Sequence, residues 1–168
     1  MSLINKIPKS FYITNDVITQ SKYLLGKTLV SNFNNQKTSG IITEVEAYLG
    51  EKDKASHSYN NCRTNRTEPM FKLGGIAYIY LCYGMHHLFN VVVGHKNFAH
   101  AILIRSLEPK NGIDIMLKRR KFKNLKKELT NGPGKLTKAL GITIEHNTFS
   151  LLENKIWIEN NGIKINKK

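Results

Sequence analysis

Thr43-Glu44-Val45-Glu46-Ala47-Tyr48 alternates apolar and polar residues. A period of two puts Glu44, Glu46 and Tyr48 on one face of a strand and Thr43, Val45 and Ala47 on the other. An ordinary half-exposed strand carries the same pattern. What sets this one apart is its company: a tyrosine-rich strand, an asparagine and an arginine inside apolar strands, and a formal net charge of +14. Acidic groups placed close together on a strongly basic chain raise the question of which polyanion is brought to them.

Outward from this stretch, Thr28 to Phe33, the polar turn Asn34-Asn35-Gln36-Lys37 and Ser39 to Leu49 read as a hairpin. Upstream, Asn15 and Asp16 start a helix with apolar positions at Val17, Leu24 and Leu25, and Gly26 stops it. Downstream, Gly50 to Lys72 reads as a long polar loop carrying Arg63, Arg66 and Pro69, and loops of that length in compact domains are commonly functional. Strands follow at Ala77 to Tyr83, His87 to Val93 and Ala101 to Leu107, with Gly84 as the turn between the first two. After Glu108-Pro109 the pattern becomes helical, with Ile113, Met116 and Leu117 on one face. Gly132-Pro133-Gly134 opens another helix through Leu140, and short strands near Ile156 and Ile163 finish the chain. Strands first, helices later and hairpin links predict an α+β fold. The expectation is a single domain over residues 1–168: a curved, mainly antiparallel sheet with flanking helices and a protruding hairpin.

The chain has 168 residues, 40% of them hydrophobic, enough to bury one core. Lys and Arg number 26 against 12 Asp and Glu, which predicts attraction to nucleic acid or an anionic membrane. The membrane alternative is disfavoured, because the longest apolar run, near Leu88 to Gly94, is far short of a span. Met1 to Tyr12 lacks the apolar core of a signal peptide, so an intracellular, cytoplasmic protein is expected. Cys62 and Cys82 fit a reducing compartment. Cys82 with His86 and His57 with Cys62 could be drawn as a mixed zinc site, but the tight paired spacings of structural zinc are missing. No metal and no cofactor are expected.

Arg105 lies in Ala101-Ile102-Leu103-Ile104-Arg105-Ser106-Leu107, apolar on both faces. A guanidinium buried there needs a carboxylate or a site that holds water; the plainer alternative is a strand-end arginine reaching solvent. Asn90, in Leu88-Phe89-Asn90-Val91-Val92-Val93, must likewise satisfy its amide. Tyr78, Tyr80 and Cys82 share one strand face, and Tyr83 borders the turn. Core packing accounts for most strand tyrosines, yet an aromatic beside a hairpin tip also suits base stacking or intercalation. His57 is either solvated or a hydrogen-bonding group of a pocket.

From Lys118 to Lys127, seven of ten residues are Lys or Arg, Arg119 and Arg120 among them. Such a run is commonly a solvated loop, but it concentrates phosphate attraction on one region. Gly132-Pro133-Gly134-Lys135-Leu136 could offer amides and Lys135 to a phosphate at a helix start. Its match to a helix-hairpin-helix motif is superficial, since no suitable first helix precedes it.

Taken together, Glu46-Ala47-Tyr48-Leu49-Gly50, Ala55-Ser56-His57-Ser58, Tyr78-Ile79-Tyr80-Leu81-Cys82-Tyr83-Gly84-Met85 with Asn90, Arg105-Ser106-Leu107-Glu108-Pro109 and Asn131-Gly132-Pro133-Gly134-Lys135-Leu136 resemble the alkyladenine (3-methyladenine) DNA glycosylases of the methylpurine type. The resemblance covers roughly residues 8 to 160, and five ordered motifs are specific together where none is alone.

The resemblance implies an enzyme that flips a damaged purine nucleotide out of double-stranded DNA and hydrolyses its N-glycosidic bond. Alkylated purines of the 3-methyladenine kind would be removed, with hypoxanthine and ethenoadenine as further candidates. Glu46 would be the general base, and Arg105 would hold the water and the carboxylate. Tyr48, His57 and Tyr80 would wall the base pocket, and Asn90 would crowd guanine's 2-amino group. Tyr83 and Met85 would enter the duplex, while Lys135, Arg119 and Arg120 would meet its backbone. A monomer without strand-cleaving lyase activity follows, since no Schiff-base lysine is required. The chain departs from the family pattern after Trp157, where an Arg-Ile-Gly-type turn and a closing strand are missing. That departure leaves a second expectation open, a weak or inactive relative that still binds nucleic acid.

Overall fold

The computed structural model describes residues 5–160. Its centre is a six-stranded sheet of β1 (Thr28–Phe33), β2 (Gln36–Tyr48), β3 (Ala77–Cys82), β4 (His86–Val93), β5 (His100–Asn111) and β6 (Ile156–Glu159), in the order β3-β4-β5-β2-β1-β6. Each neighbouring pair is antiparallel. Helices α1 (Lys9–Tyr12), α2 (Val17–Leu24), α3 (Ile113–Arg120) and α4 (Pro133–Leu140) flank it, as an α+β fold requires. The strand expected near Ile163 lies outside the described residues.

Period-two alternation divides the sheet into two faces. Ala77, Ile79, Phe89, Val91, Val93, Ile102 and Ile104 join the main core with Leu136, Ala139 and Leu140 of α4 and Met116 of α3. The intervening residues Tyr78, Val92 and Ala101 form a smaller cluster with Met70, Phe71 and Ala99 on the other face. The second face is where the polar residues of the strands gather.

Local chemistry fixes the element ends. Asp16 caps α2 by accepting the Thr19 N–H at 3.0 Å, while Asn15 Oδ1 accepts the His95 N–H at 2.8 Å. The β1–β2 turn is two residues rather than the four expected: Asn34 and Asn35 have φ of 51° and 60°, and Phe33 pairs with Gln36. Asparagine tolerates that left-handed region, which matches the twist of a two-residue hairpin loop. Strand β2 therefore begins earlier than Ser39.

Two further expectations need correction. The helix expected directly after Pro109 starts only at Ile113, because β5 runs on through Pro109 to Asn111. A register shift opposite Ser39 and Gly40 accommodates the missing proline N–H. The stretch Gly50 to Lys72 is not plain loop either, since it holds short 3₁₀ turns at Gly50–Lys52, Tyr59–Asn61 and Glu68–Phe71. The last of these buries Met70 and Phe71 beneath the second sheet face.

Cys82 and His86 sit opposite each other on β3 and β4. Among the described residues, no group of three or more His, Cys, Asp and Glu is placed to hold a metal ion. None of the described helices is long and apolar enough to cross a membrane.

Candidate active site

Four adjacent strands supply the second face: Tyr78 and Tyr80 from β3, Asn90 from β4, Ala101 and Arg105 from β5, and Glu44, Glu46 and Tyr48 from β2. Tyr78, Asn90, Leu103 and Glu46 form one row across the sheet by register. Three strand spacings span roughly 14 Å on a flat sheet. Tyr78 and Asn90 of this row line a slot, which Tyr48 of β2 joins.

The slot is lined by Tyr48, Ala55, Ser56, His57, Met70, Tyr78, Tyr80, Asn90 and Ala101, and its cavity volume is about 30 Å³. The Tyr80 ring meets His57 edge-on, with centroids 4.6 Å apart, and lies tilted against Tyr78 at 5.5 Å. His57 Nδ1 and the Tyr78 hydroxyl are 3.0 Å apart. Burial, helped by the Arg66 charge, lowers the His57 pKa and favours the neutral ring. Burial pushes the Tyr78 phenol up to about 12. Asn90 is 2% exposed, and its Nδ2 donates to the Tyr78 carbonyl at 3.1 Å. That bond solves the cost of an amide in an apolar strand.

At one end of the slot stands an acid–guanidinium group. Arg105 Nη1 lies 2.8 Å from Glu46 Oε1 as an ion pair, and Arg105 Nε donates to Glu44 Oε1 at 3.0 Å. Tyr48 donates its hydroxyl to the other Glu46 oxygen at 2.6 Å. Burial, the Glu46 hydrogen bond and the Glu46 charge raise the Tyr48 pKa, so the phenol stays a donor. Burial opposes the Arg105 charge, but the Glu44 hydrogen bond and the charges of Glu46 and Glu44 outweigh it. A carboxylate offers about four lone-pair sites, so Glu46 keeps acceptor capacity beyond these two contacts.

Of the two alternatives for Arg105, full burial is excluded: its side chain is 34% exposed. The cause is an irregularity in the β2–β5 ladder. Glu44 pairs with Ser106 between the pairs Ile42–Leu107 and Val45–Ile104, so the register slips and slips back and leaves Thr43 and Arg105 without ladder partners. The guanidinium lies between two carboxylates and is partly open to solvent.

The β3–β4 turn protrudes. Tyr83 is 90% exposed and Met85 69%. Tyr83 and Gly84 have φ of 49° and 68°, and the Met85 N–H closes the turn on the Cys82 carbonyl. Glycine takes a positive φ freely, whereas a tyrosine there is strained. Beside the turn runs a groove of about 520 Å³, lined in part by Met85, His86, Arg120, Lys135 and Lys138. Lys135 lies on the first turn of α4, as the Gly-Pro-Gly pattern implies.

Arg119, expected at the DNA backbone, has partners within the protein. Its guanidinium is half-buried and donates to the Ala139 carbonyl at 3.1 Å and to Gln36 Oε1 at 3.1 Å. It ties α3 to the end of α4 and to the β1–β2 hairpin. Arg120 lines the groove while donating to the Glu128 carbonyl at 3.1 Å.

Three contributors were not singled out as site residues from sequence. Tyr78 was legible in principle, because it shares the period-two face with Tyr80. Arg66, whose guanidinium lies 5.0 Å from the Tyr80 ring centroid, comes from the irregular loop and carries no pattern signal. Met70 reaches the slot from a 3₁₀ turn and was equally silent.

The site joins an aromatic slot to a paired carboxylate and guanidinium, with a protruding aromatic turn beside a basic groove. Comparison with known proteins is specific. The family model described as methylpurine-DNA glycosylase (MPG) matches residues 10–168. A Chlamydia felis protein named "Putative 3-methyladenine DNA glycosylase" is 52% identical over 158 residues, covering 94% of this chain and 81% of its own length. Relatives bearing the same name from Chlamydia abortus and Bacillus cereus are 54% identical over 153 residues and 50% identical over 157. Each covers 90% of this chain, and 80% and 76% of its own length respectively. The chain belongs to the methylpurine-DNA glycosylase family, and its enzyme class is DNA N-glycosylase.

Proposed function

We propose that this protein removes alkylated purines of the 3-methyladenine kind from double-stranded DNA, working as a monomer by hydrolysis and leaving an abasic site. The observation that carries this is the Glu46 carboxylate, held by Arg105 at 2.8 Å and by Tyr48 at 2.6 Å at the end of an aromatic slot.

In this reading Tyr83 and Met85 enter the duplex and Tyr83 fills the space left by the extruded nucleotide. Extrusion costs a few kcal/mol, least for a damaged base. Stacking against Tyr48, His57 and Tyr80 returns about 1–3 kcal/mol per aromatic. An alkylated, cationic purine gains roughly 0.5–2 kcal/mol more from the ring faces. Asn90, fixed by its bond to Tyr78, crowds the edge where guanine carries its 2-amino group. Lys135 and Arg120 attract phosphates along the groove.

The chemistry then needs one water. Glu46 accepts its proton as the oxygen bonds to C1′ of the sugar, and the C1′–N bond breaks with its electron pair leaving on the base. A cationic purine departs neutral, so no acid is required for that lesion. The sugar passes through oxocarbenium character, which a nearby carboxylate stabilises. Arg105 keeps Glu46 ionised and helps orient the water. No lysine attacks the sugar, so strand cleavage is not part of the reaction.

Oligonucleotides carrying a single hypoxanthine or ethenoadenine, and methylated duplex DNA, test the reading. Released base should be recovered with the chelator EDTA present, with strand breaks arising only after alkali. Salt-dependent DNA binding without release of any base would make the protein a non-catalytic relative. Breaks formed without alkali would contradict the hydrolytic mechanism.

A further inference from the structure

Arg105 has two acidic partners, and the proposed reaction uses only one. Glu44 accepts a hydrogen bond from Nε at 3.0 Å, whereas Glu46 is an ion-pair partner 2.8 Å from Nη1. The ladder explains why a second partner matters. At the double slip in the β2–β5 register, Arg105 has no ladder partner. Its side chain is long and rotamer-rich, and the ion-pair contact with Glu46 alone would let the guanidinium plane swivel.

Glu44 and Glu46 lie on the same face of β2, two residues apart, and take different nitrogens of one planar group. Two-point holding fixes the orientation of a guanidinium in a way one contact cannot. The Glu44 side chain is 53% exposed and Arg105 34%, so this ion pair adds little to the stability of the fold. Its consequence is orientational.

We propose that Glu44 is a positioning residue: by holding Nε of Arg105, it sets the guanidinium plane so that Arg105 and Glu46 address the same attacking water. This rests on the hydrolytic reading of the site given above. Glu44 itself touches neither base nor water in this role, and it acts through Arg105.

The test compares wild type, Glu44→Ala, Glu44→Gln and Glu153→Ala, the last being an exposed control for the change in net charge. Measured are single-turnover release from methylated duplex DNA with enzyme in excess, affinity for a duplex containing a tetrahydrofuran abasic analogue, melting temperature, and the ¹⁵N–¹H signal of Arg105 Nε. Misplacement of a catalytic group by about 1 Å costs on the order of 100-fold. Glu44→Ala should therefore slow release by roughly 10- to 100-fold, with affinity and melting temperature matching the Glu153→Ala control and the slowly exchanging Nε signal lost. Glu44→Gln keeps an oxygen acceptor and should recover most of the rate and the signal.

Wild-type release in Glu44→Ala would overturn the proposal. So would equal slowing in Glu44→Ala and Glu44→Gln, or slowing that tracks a fall in melting temperature. Absence of release by the wild type removes the reaction and this role with it, whereas release that Glu44→Ala leaves intact removes the role alone.

Discussion

Arg119 and Lys135 are both basic residues of the C-terminal half, and their surroundings separate them. Arg119 is committed to the Ala139 carbonyl and Gln36, so Arg119→Ala should destabilise the fold by about 1–3 kcal/mol. The salt dependence of DNA binding should not change. Lys135 is exposed on the first turn of α4 beside the groove. Lys135→Ala should leave the melting temperature intact and reduce the log–log salt slope by about 0.9, one phosphate contact. Thermal melts and binding titrations over a salt series check both. Sequence could not draw this distinction, because a basic run gives each member the same weight and only packing shows which one is half-buried.

Asn90 and Glu46, by contrast, were legible as single residues. An amide in an apolar strand and a carboxylate beside a phenol are each costly or conspicuous without a partner, and both have their partners here. Arg105 was half legible: its need for a carboxylate was, while burial and exposure stood as alternatives. Flanking apolar residues could not decide between them, and no alternation rule announces a slip of register.

At the scale of elements, the β3–β4 hairpin sets stability against the proposed function. Tyr83 occupies a left-handed conformation, and such strain costs on the order of 1 kcal/mol in a non-glycine residue. Its side chain is 90% exposed and gains almost no burial in return. Tyr83→Gly should leave the protein as stable or more so, while slowing base release and weakening lesion-specific binding more than non-specific binding. Equal losses in both kinds of binding would remove the wedge role. The hairpin itself was visible from the tyrosine-rich strand and Gly84. The course of β5 through Pro109 was not, because proline is read as a break and only the bulge opposite Gly40 lets the strand continue.

The whole molecule carries +14, and its response to acid is set by burial. His57, His100 and His146 each have a pKa lowered from 6.5, in every case chiefly by burial. Between those lowered values and 6.5 the unfolded chain binds more protons than the folded one, so stability falls as pH falls through that window. Melting temperature should therefore decline on acidification from pH 7 toward 5, and a flat profile there would contradict burial of these rings. The α+β class and antiparallel order followed from alternation and hairpin spacing. The slot did not, since the packing of Ala55, Ser56, His57 and Met70 against the sheet arises from long-range contacts that no local window contains.

The most direct measurement of the central claim is single-turnover release of base from methylated duplex DNA by wild type and by Glu46→Gln, with DNA affinity determined alongside. General-base catalysis contributes about 10²–10⁴-fold, so Glu46→Gln should bind DNA at least as well as wild type and release base slower by that factor. Equal release by the two proteins would contradict the assignment of Glu46 and the site built around it.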